Sequence, residues 1–585
     1  MANGFGSLFI GVAGLQTSQN GLNITSNNLA NVDTKGYVRQ RVFQTDRNYI
    51  VFDTTAAVSK QQSGLGVQIG DVLHTRDVFL DKSYRATYAR QEFYQTTYEA
   101  INEVENYFQE LEGMAFQDAL EDFWVSFAEL SKAPDEGIYQ NLVVQKAQLF
   151  LSRASAVYQG LQDYQYTVNT QISDDIDRIN EIGKTIFDLN EQILKIEAPG
   201  IETAMTLRDA RDQLLDELSG LVDVSYHETS DGILKISIEG TEFINEARFN
   251  EVGQYRDPVS GFVTPYWPHL SDENKGEYTY MFNFKRDISP ENQNDKGGLK
   301  ALILARGDKL ANYSDVEDMD RDVYNDTTAM SVMLRAESQL DQLIHKIVTG
   351  INDIFAPNTE ASNLIEDWDA DGTKTVRDSK GNEIIIRRDT KLLDAENCPV
   401  GSDRTLPPRE LFTRIGCERY TEVTDEDGNT YYLYNEEDLN DTTKMYTLQS
   451  ISINEDLKLD QSLMPHLTQD QNQKMVDQNM AEALVELWEK LDYNLNPNDL
   501  RGINFKTYYQ SMVDEMAVFG DIYGSTGDSL EGTVLAIDNA RQRVVGVSSD
   551  EELVSMIKFQ NAYNASSRFI NVINEMIETL ITQLG

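Results

Sequence analysis

The sequence is short of the residues that carry most protein chemistry. Its 585 residues include two cysteines, Cys398 and Cys417, five histidines, four tryptophans and twelve prolines. Two cysteines 19 positions apart build no disulfide framework, and no Cys/His cluster has the spacing of a structural zinc site. They could close one disulfide, worth about 3 kcal/mol by loop entropy, or stay as free thiols, and both readings stand. Basic side chains are also scarce, 50 against 97 acids, for a net charge of −47. Phosphate backbones and anionic membranes repel such a chain, so neither nucleic acid nor membrane is expected as a partner. No apolar run reaches the roughly 18 residues needed to cross a bilayer. The first charged residue is Asp33. The N-terminus therefore lacks the basic region of a cleavable export signal, and any export is expected to use another route.

Apolar residues make up 40% of the chain, and with 36 glycines added the share is in the globular range. The length suggests about four domains. Both ends carry a heptad stripe. Near the N-terminus it runs Leu8, Val12, Leu15, Gln19, Leu22, Ser26, Leu29; near the C-terminus Phe559, Tyr563, Ser566, Ile570, Ile573, Ile577, Leu580, Leu584. Steps of three and four put each set on one face of a helix. Matching stripes at two termini, which otherwise fray, predict that the two helices pair as a coil. Glycines at 4, 6, 11, 14 and 21 weaken such a helix, and close approach of a neighbouring helix is one use for them.

Inward of the ends, residues 83–112 and 115–131 read as amphipathic helices. A longer helix runs to about Glu197, followed by LRDARDQLLDELSGL and a helix over 329–355. Alternating segments around Asp231-Gly232 predict a hairpin. The expected fold is multidomain and mainly α with β-rich insertions. Its parts are a terminal coiled-coil domain (1–82 with 545–585), a helical domain (83–225 with 300–355 and 470–544), a hairpin-containing insertion (226–299) and an acidic β-rich insertion (356–469). This last stretch holds five of the twelve prolines and both cysteines, and is expected to face solvent and to be dispensable for assembly.

Residues 26–41, SNNLANVDTKGYVRQR, resemble the N-terminal signature of the bacterial flagellar axial proteins, the rod, hook and hook-associated subunits. Asparagines 27, 28 and 31 suit a capped helix end, and Gly36 a turn closed to residues with a Cβ. Tyr37 and Arg39 are expected to lead an extended segment along a neighbouring subunit. The stretch GVSSDEELVSMIKFQNAYNASSRFINVINEMIETLI is similar to the family's C-terminal element, with acids at the positive pole of its helix. In the interior, FWVSFAELSKAPDE, RDQLLDELS followed by VDVSY, and GGLKALILARGDKL resemble the hook-associated branch, the junction between hook and filament. The resemblance implies a structural subunit of the flagellum that polymerises through its terminal helices. It implies self-association, hook protein on one side, the next hook-associated junction protein on the other, and a cytoplasmic export chaperone at the C-terminal helix. It further implies an extracellular place on the flagellum, reached through the flagellum's own secretion apparatus. The expected assembly residues are Leu8, Leu15, Leu22, Leu29, Asn27, Asn28, Asn31, Gly36, Tyr37, Arg39, Phe559, Tyr563, Ile570, Ile573, Ile577, Leu580 and Leu584.

None of H-E-x-x-H, G-x-S-x-G, G-x-x-x-x-G-K-[ST] or C-x-x-C occurs, and no enzyme is expected. One metal motif stands out. Asp367, Asp369, Asp371, Thr373 and Asp378 approximate the D-x-D-x-D-G opening of a calcium loop, with aspartate where the twelfth-position glutamate belongs. The alternative is an acidic β-turn, and otherwise no cofactor is expected. Two rival functions remain: another axial subunit of hook or rod, and a secreted, calcium-binding surface adhesin.

Overall fold

A computed structural model describes residues 2–34, 36–47, 50–51, 62–74, 76–109, 116–198, 203–369, 371–469 and 475–584. Its helices are α1 (Ala2–Ala30), α2 (Val78–Gln109), α3 (Phe116–Leu130), α4 (Gly137–Glu197), α5 (Met205–Leu221), α6 (Gly298–Arg306), α7 (Arg321–Asp326), α8 (Val332–Phe355), α9 (Ala361–Leu364), α10 (Glu455–Leu459), α11 (Gln478–Glu489), α12 (Phe505–Val545) and α13 (Ser549–Leu584). Mainly α with β-rich additions is therefore the architecture. The sequence continues after α4 with Pro199-Gly200, a helix-stop pair that lies outside the described residues.

The spine is α4, whose 61 residues extend about 90 Å. Its apolar stripe serves two cores in succession. Val143, Ala147, Phe150, Ala154 and Leu161 pack with α3, α8, α11 and α12. Val168, Ile172, Ile176, Ile179 and Ile186 pack with α5, α6 and the strands that follow α5. Those strands, Val224–Glu228, Leu234–Ile238 and Thr241–Ile244, form an antiparallel sheet, with a second ribbon of Gly253–Arg256 and Val263–Tyr266. Alternation in Leu234–Ile238 turns Leu234, Ile236 and Ile238 inward against α4. The hairpin expectation is met, but this region shares its core with α4 and α5 and is no separate insertion.

Alongside the spine, α2 and α12 run antiparallel. Gly520 meets Ile101, Gly524 meets the Tyr98 ring, and the Arg541 guanidinium lies over Tyr84, 4.7 Å from its centre. Bare glycine backbone opposite tyrosine lets two long helices approach closely while each tyrosine still buries its ring.

The stretch 356–469 departs from expectation. Part of it is an outlying six-stranded antiparallel sheet, in the spatial order Asn358–Glu360, Lys391–Leu393, Thr430–Tyr434, Tyr420–Thr424, Thr373–Asp378, Glu383–Arg387. Its small core comprises Ile365, Val376, Ile386, Leu392 and Val423. The remainder is built into the helical body. Leu411, Phe412, Tyr446, Leu448, Ile451, Ile453, Leu457 and Met464 belong to the same core as α3, α4 and α8, and Phe412 packs edge-on against Phe123 with centroids 6.1 Å apart. A single solvent-facing insertion over 356–469 is thus corrected: the sheet projects, while residues 411–412, between two of its strands, and 446–464, after its last strand, close the body.

Buried polar groups hold that closure. On α8, Asp341 accepts the backbone N–H groups of Tyr313 (3.0 Å) and Leu448 (2.7 Å). One turn on, His345 stacks on Tyr313, its Nε2 lies 2.9 Å from Glu437 Oε1 and its Nδ1 3.1 Å from Glu317 Oε2. Burial alone would discharge this imidazole. Its two carboxylate neighbours overcome that and hold its pKa up at about 9.

Candidate assembly surface at the paired termini

The termini pair, and they run antiparallel. Extending Gly11 by a Cβ would bring it within 2.7 Å of Ile570, Gly14 within 2.7 Å of Ser566, and Gly21 within 2.7 Å of the Phe559 ring. Asn28 bonds Glu552. As α1 advances, its partners on α13 recede in step. The glycines that weaken α1 as an isolated helix are the positions where α13 lies closest.

The face that α1 turns to α13 is not its leucine stripe. Gly11, Ser18, Gly21, Thr25 and Asn28 are buried, whereas Leu8, Leu15, Leu22 and Leu29 are half-buried at the flank of the contact, and Val12, Gln19 and Ser26 face solvent. The expected N-terminal pairing face is corrected accordingly. Small side chains win the centre because they let two backbones approach, and the leucines are displaced to its edge. On α13 the apolar stripe does lie toward α1. Phe559, Tyr563, Ile570 and Ile577 are half-buried there and Ile573 is 9% exposed. Leu580, near the end, is 54% exposed, and the side chain of Leu584 lies outside the described residues.

A polar clamp closes the base of the pair. Asn28, 1% exposed, donates from Nδ2 to Gln40 O (2.9 Å) and to Glu552 Oε2 (3.1 Å). Its Oδ1 accepts the Tyr37 hydroxyl (2.8 Å) and the Gln40 N–H (3.1 Å). Arg39 donates from Nε to Glu552 Oε1 (2.7 Å) and pairs with Glu551 Oε2 (2.6 Å), while its backbone N–H reaches Val545 O at the end of α12. Asn31 Nδ2 donates back to the Asn27 carbonyl (2.9 Å), tying off the last turn of α1, and Asn27 Nδ2 donates to the Tyr37 hydroxyl (3.3 Å). Gly36 has φ +82°, in the left-handed region that favours glycine. The Tyr37 hydroxyl is pushed up to about 12 by burial, with Asp209 and Glu552 adding to it. Hydrogen bonds to groups of the same chain engage both Tyr37 and Arg39.

Sequence reasoning missed the acids of this clamp as partners, reading Glu551 and Glu552 only as helix-start residues. It also missed the network beneath. Arg85 Nε pairs with Asp216 (2.6 Å) and its NH2 with Asp212 (3.2 Å), Arg76 pairs with Asp212, and Arg541 Nε pairs with Asp81 (3.2 Å). Three arginines and three aspartates from four segments thus join the foot of the terminal pair to α2, α5 and α12. The strand Gln40–Asp46 pairs with Val67–His74 as a ribbon that lies on α1 through Gly66 and Val67.

Outside the seam, α13 carries a second set of apolar side chains that no other described residue covers. Val554, Ile557, Phe569, Val572, Met576 and Leu580 are all exposed, Val572 at 51% and Met576 at 58%. Phe9 on α1 is 58% exposed. These side chains fall in two patches, with Lys558, Asn561 and Arg568 exposed between them, and exposed apolar surface of this kind marks an interaction site.

The acidic motif around Asp371 folds as a strand flanked by turns. Residues 373–378 are a strand, so Asp371 and Asp378 stand at its opposite ends. Asp371 Oδ1 accepts the Thr373 hydroxyl (2.7 Å), and Asp378 Oδ1 caps the next turn by accepting the N–H groups of Lys380 (2.9 Å) and Asn382 (2.8 Å). Asp367 and Asp369 share no ion site with them, and no cluster of three metal-ligating side chains occurs among the described residues. Cys398 is a buried free thiol and Cys417 a half-buried one.

Residues 101–363 match the flagellar hook-associated protein FlgK helical domain. Residues 8–37 match the flagella basal body rod protein family, and residues 542–584 the C-terminal family of the flagellar basal body rod FlgEFG proteins. Flagellar hook-associated protein 1 of Bacillus subtilis (strain 168) is 24% identical over 98% of this chain and 96% of its own, and that of Escherichia coli (strain K12) is 22% identical over 97% and 98%. The chain is similar over its full length to flagellar hook-associated protein 1. Among solved structures, the flagellar hook junction protein FlgK from Burkholderia pseudomallei is similar, with a TM-score of 0.48 and 13% identity over 79% of this chain and 99% of its own. The two rod-family matches cover α1 with the clamp loop and α13. The shared axial signatures are thus the two halves of one helix pair.

Proposed function

We propose that the chain is a non-enzymatic structural subunit that polymerises through its terminal helices and joins hook to filament in the bacterial flagellum. The observation that carries this reading is the uncovered stripe from Val554 to Leu580 on α13. The α1–α13 seam satisfies one face of α13, and the second apolar face is left for other subunits. Burying a Val, Met or Phe of that stripe contributes about 1.5–3 kcal/mol each, enough in sum to hold a polymer contact. Hook protein on one side and the next hook-associated protein on the other are the neighbours this role requires. Before assembly the same stripe needs cover, which a cytoplasmic export chaperone at α13 supplies ahead of passage through the flagellar secretion apparatus. The role calls for no cofactor. Labelled chain imaged on intact flagella tests it: a ring at the hook–filament boundary is expected, and label along the hook, in the rod or over the cell surface would reject it.

A further inference from the structure

We infer that Asn28 and Glu552 are the register key of the terminal helix pair, the polar contact that selects one alignment of α1 on α13. This rests on the reading that the paired termini are the assembling element.

The seam positions of α1 repeat every seven residues. Gly14, Gly21 and Asn28 form one row and Gly11, Ser18 and Thr25 the next. Opposite the first row stand Ser566, Phe559 and Glu552, also seven apart. A slip of one heptad, about 10 Å along the axis, would set Ile573 against Gly14, Ser566 against Gly21 and Phe559 against Asn28. The first two are well tolerated, since glycine leaves room for either side chain. Rows of glycine, serine and threonine present no knobs, so apolar packing separates the two alignments poorly. Residues 31–38 between α1 and the anchored Arg39 are long enough to bridge such a shift. The ribbon adds one long bond, Thr17 Oγ1 to Val67 O at 3.3 Å, and the two bonds between Asn28 and the Gln40 backbone, which a slip would also break.

Only the third contact discriminates. In the observed alignment Glu552, with a 4% exposed side chain, is met by Asn28 Nδ2 and by the Arg39 guanidinium. After a slip the Phe559 ring would lie on the Asn28 carboxamide, and a buried carboxylate would lose its Asn28 bond, a costly state. Single buried polar residues are the best-attested device for fixing helix register, at some expense in stability.

The test uses the full-length monomer with Cys398→Ser and Cys417→Ser. Gly14→Cys with Ser566→Cys reports the observed alignment, because the Cβ position at Gly14 lies 3.6 Å from Ser566 Cβ, within disulfide reach. Gly21→Cys with Ser566→Cys reports the slipped one. With the key intact, oxidation should close the first pair and leave the second open. Asn28→Gly, which continues the glycine row, and Glu552→Leu should each raise the second link about tenfold at the expense of the first, as loss of a single specifying polar contact does. Glu552→Gln, which keeps an oxygen for Asn28 Nδ2, should retain the parental pattern. If Asn28→Gly and Glu552→Leu leave the first link at parental yield and the second at baseline, the key is refuted while the pairing stands. If the parent closes neither pair, the helix pairing itself fails, and the proposed assembly role loses its basis with it.

Discussion

The terminal pair and the helical body solve the same problem with opposite materials. In the body, large apolar side chains go inside: Phe123, Phe150, Phe412 and Trp488 interlock around α4, and Gly520 and Gly524 on α12 receive Ile101 and Tyr98 from α2. At the termini the inside is glycine, serine, threonine and a buried asparagine, while much of the large apolar surface lies outside. The body is finished as a monomer. The terminal pair is finished only when something covers its outer face, and its thin interior explains why it needs a clamp of Asn28, Tyr37, Arg39, Glu551 and Glu552 at its base.

The largest expected effect lies where the body borrows from the stretch beyond α8. Replacing 356–469 with a Gly/Ser linker removes Phe412, Tyr446, Leu448, Ile451, Ile453, Leu457 and Met464 from the core. At about 1.5–3 kcal/mol each the sum exceeds the typical stability of a domain, about 5–15 kcal/mol, at its lower end or more. The deletion should lose cooperative unfolding by circular dichroism. A cooperative transition like the parent's would return the whole stretch to the status of a detachable insertion. Within the same stretch, Phe412→Ala should cost about 3–5 kcal/mol in urea titration. Ile385→Ala, on the projecting sheet and 64% exposed, should fall within about 0.5 kcal/mol of parent.

That boundary was hard to see for a definite reason. The stretch carries about two acids per base, but so does the whole chain, 97 to 50, so acidity marks no edge. Its short strands alternate alike whether they join the outlying sheet, as Thr430–Tyr434 does, or close the body, as Ile451–Ile453 does. Periodicity gives a face and not its partner. By contrast α4, α8 and the inward stripe of α13 were legible because large apolar residues recur at helical spacing. The seam of α1 was not, since glycine and serine carry no apolar signal and the leucines beside them drew the stripe to the wrong face. Asn28, Tyr37 and Arg39 stood out as a motif, yet their partners Glu551 and Glu552 lie more than 500 positions away, beyond the reach of local pattern.

A smaller effect separates body from termini by pH. The groups facing one another across α8 are Glu337, Asp341, His345, Glu317, Glu437, Tyr313 and Lys346. His345 is held up at about 9 against its burial by Glu317 and Glu437, and burial lifts Asp341 to about 6 and Glu337 to about 8. All three bind protons more tightly folded than unfolded, so their stabilising contribution is lost as pH rises through those values. Glu317, brought down to about 2 by His345 and Lys346 despite burial, acts in the other sense, and its contribution is lost as pH falls from the ordinary carboxylate range toward 2. Body stability in urea should therefore peak near pH 4 and decline toward pH 9, and His345→Gln should flatten the alkaline end of that decline. A rise in stability from pH 6 to 9 would contradict the assignment.

The smallest effect uses one substitution twice. Gly532 on α12 has no atom within 4 Å of an added Cβ, so Gly532→Ala should stabilise the body by about 0.5–1 kcal/mol through helix propensity. At Gly21 the same Cβ meets the Phe559 ring at 2.7 Å, so Gly21→Ala should loosen the terminal pair, seen as faster hydrogen exchange in α1 and around Phe559. Equal responses at the two sites would erase the distinction drawn between the regions.

Two adjacent residues on α13 test the central claim most directly. Ile573 faces α1 and is 9% exposed, whereas Val572 faces outward at 51%. Aspartate at either site is compared for helix content, melting of the monomer, and filament formation in cells lacking the natural chain. An unpaired carboxylate at the seam costs several kcal/mol, so Ile573→Asp should unpair the termini in the monomer and abolish assembly. Val572→Asp should leave the monomer's helix content and melting at parental values and still yield hooks without filaments. Normal filaments from Val572→Asp would mean that the outer stripe of α13 is not the surface on which subunits join.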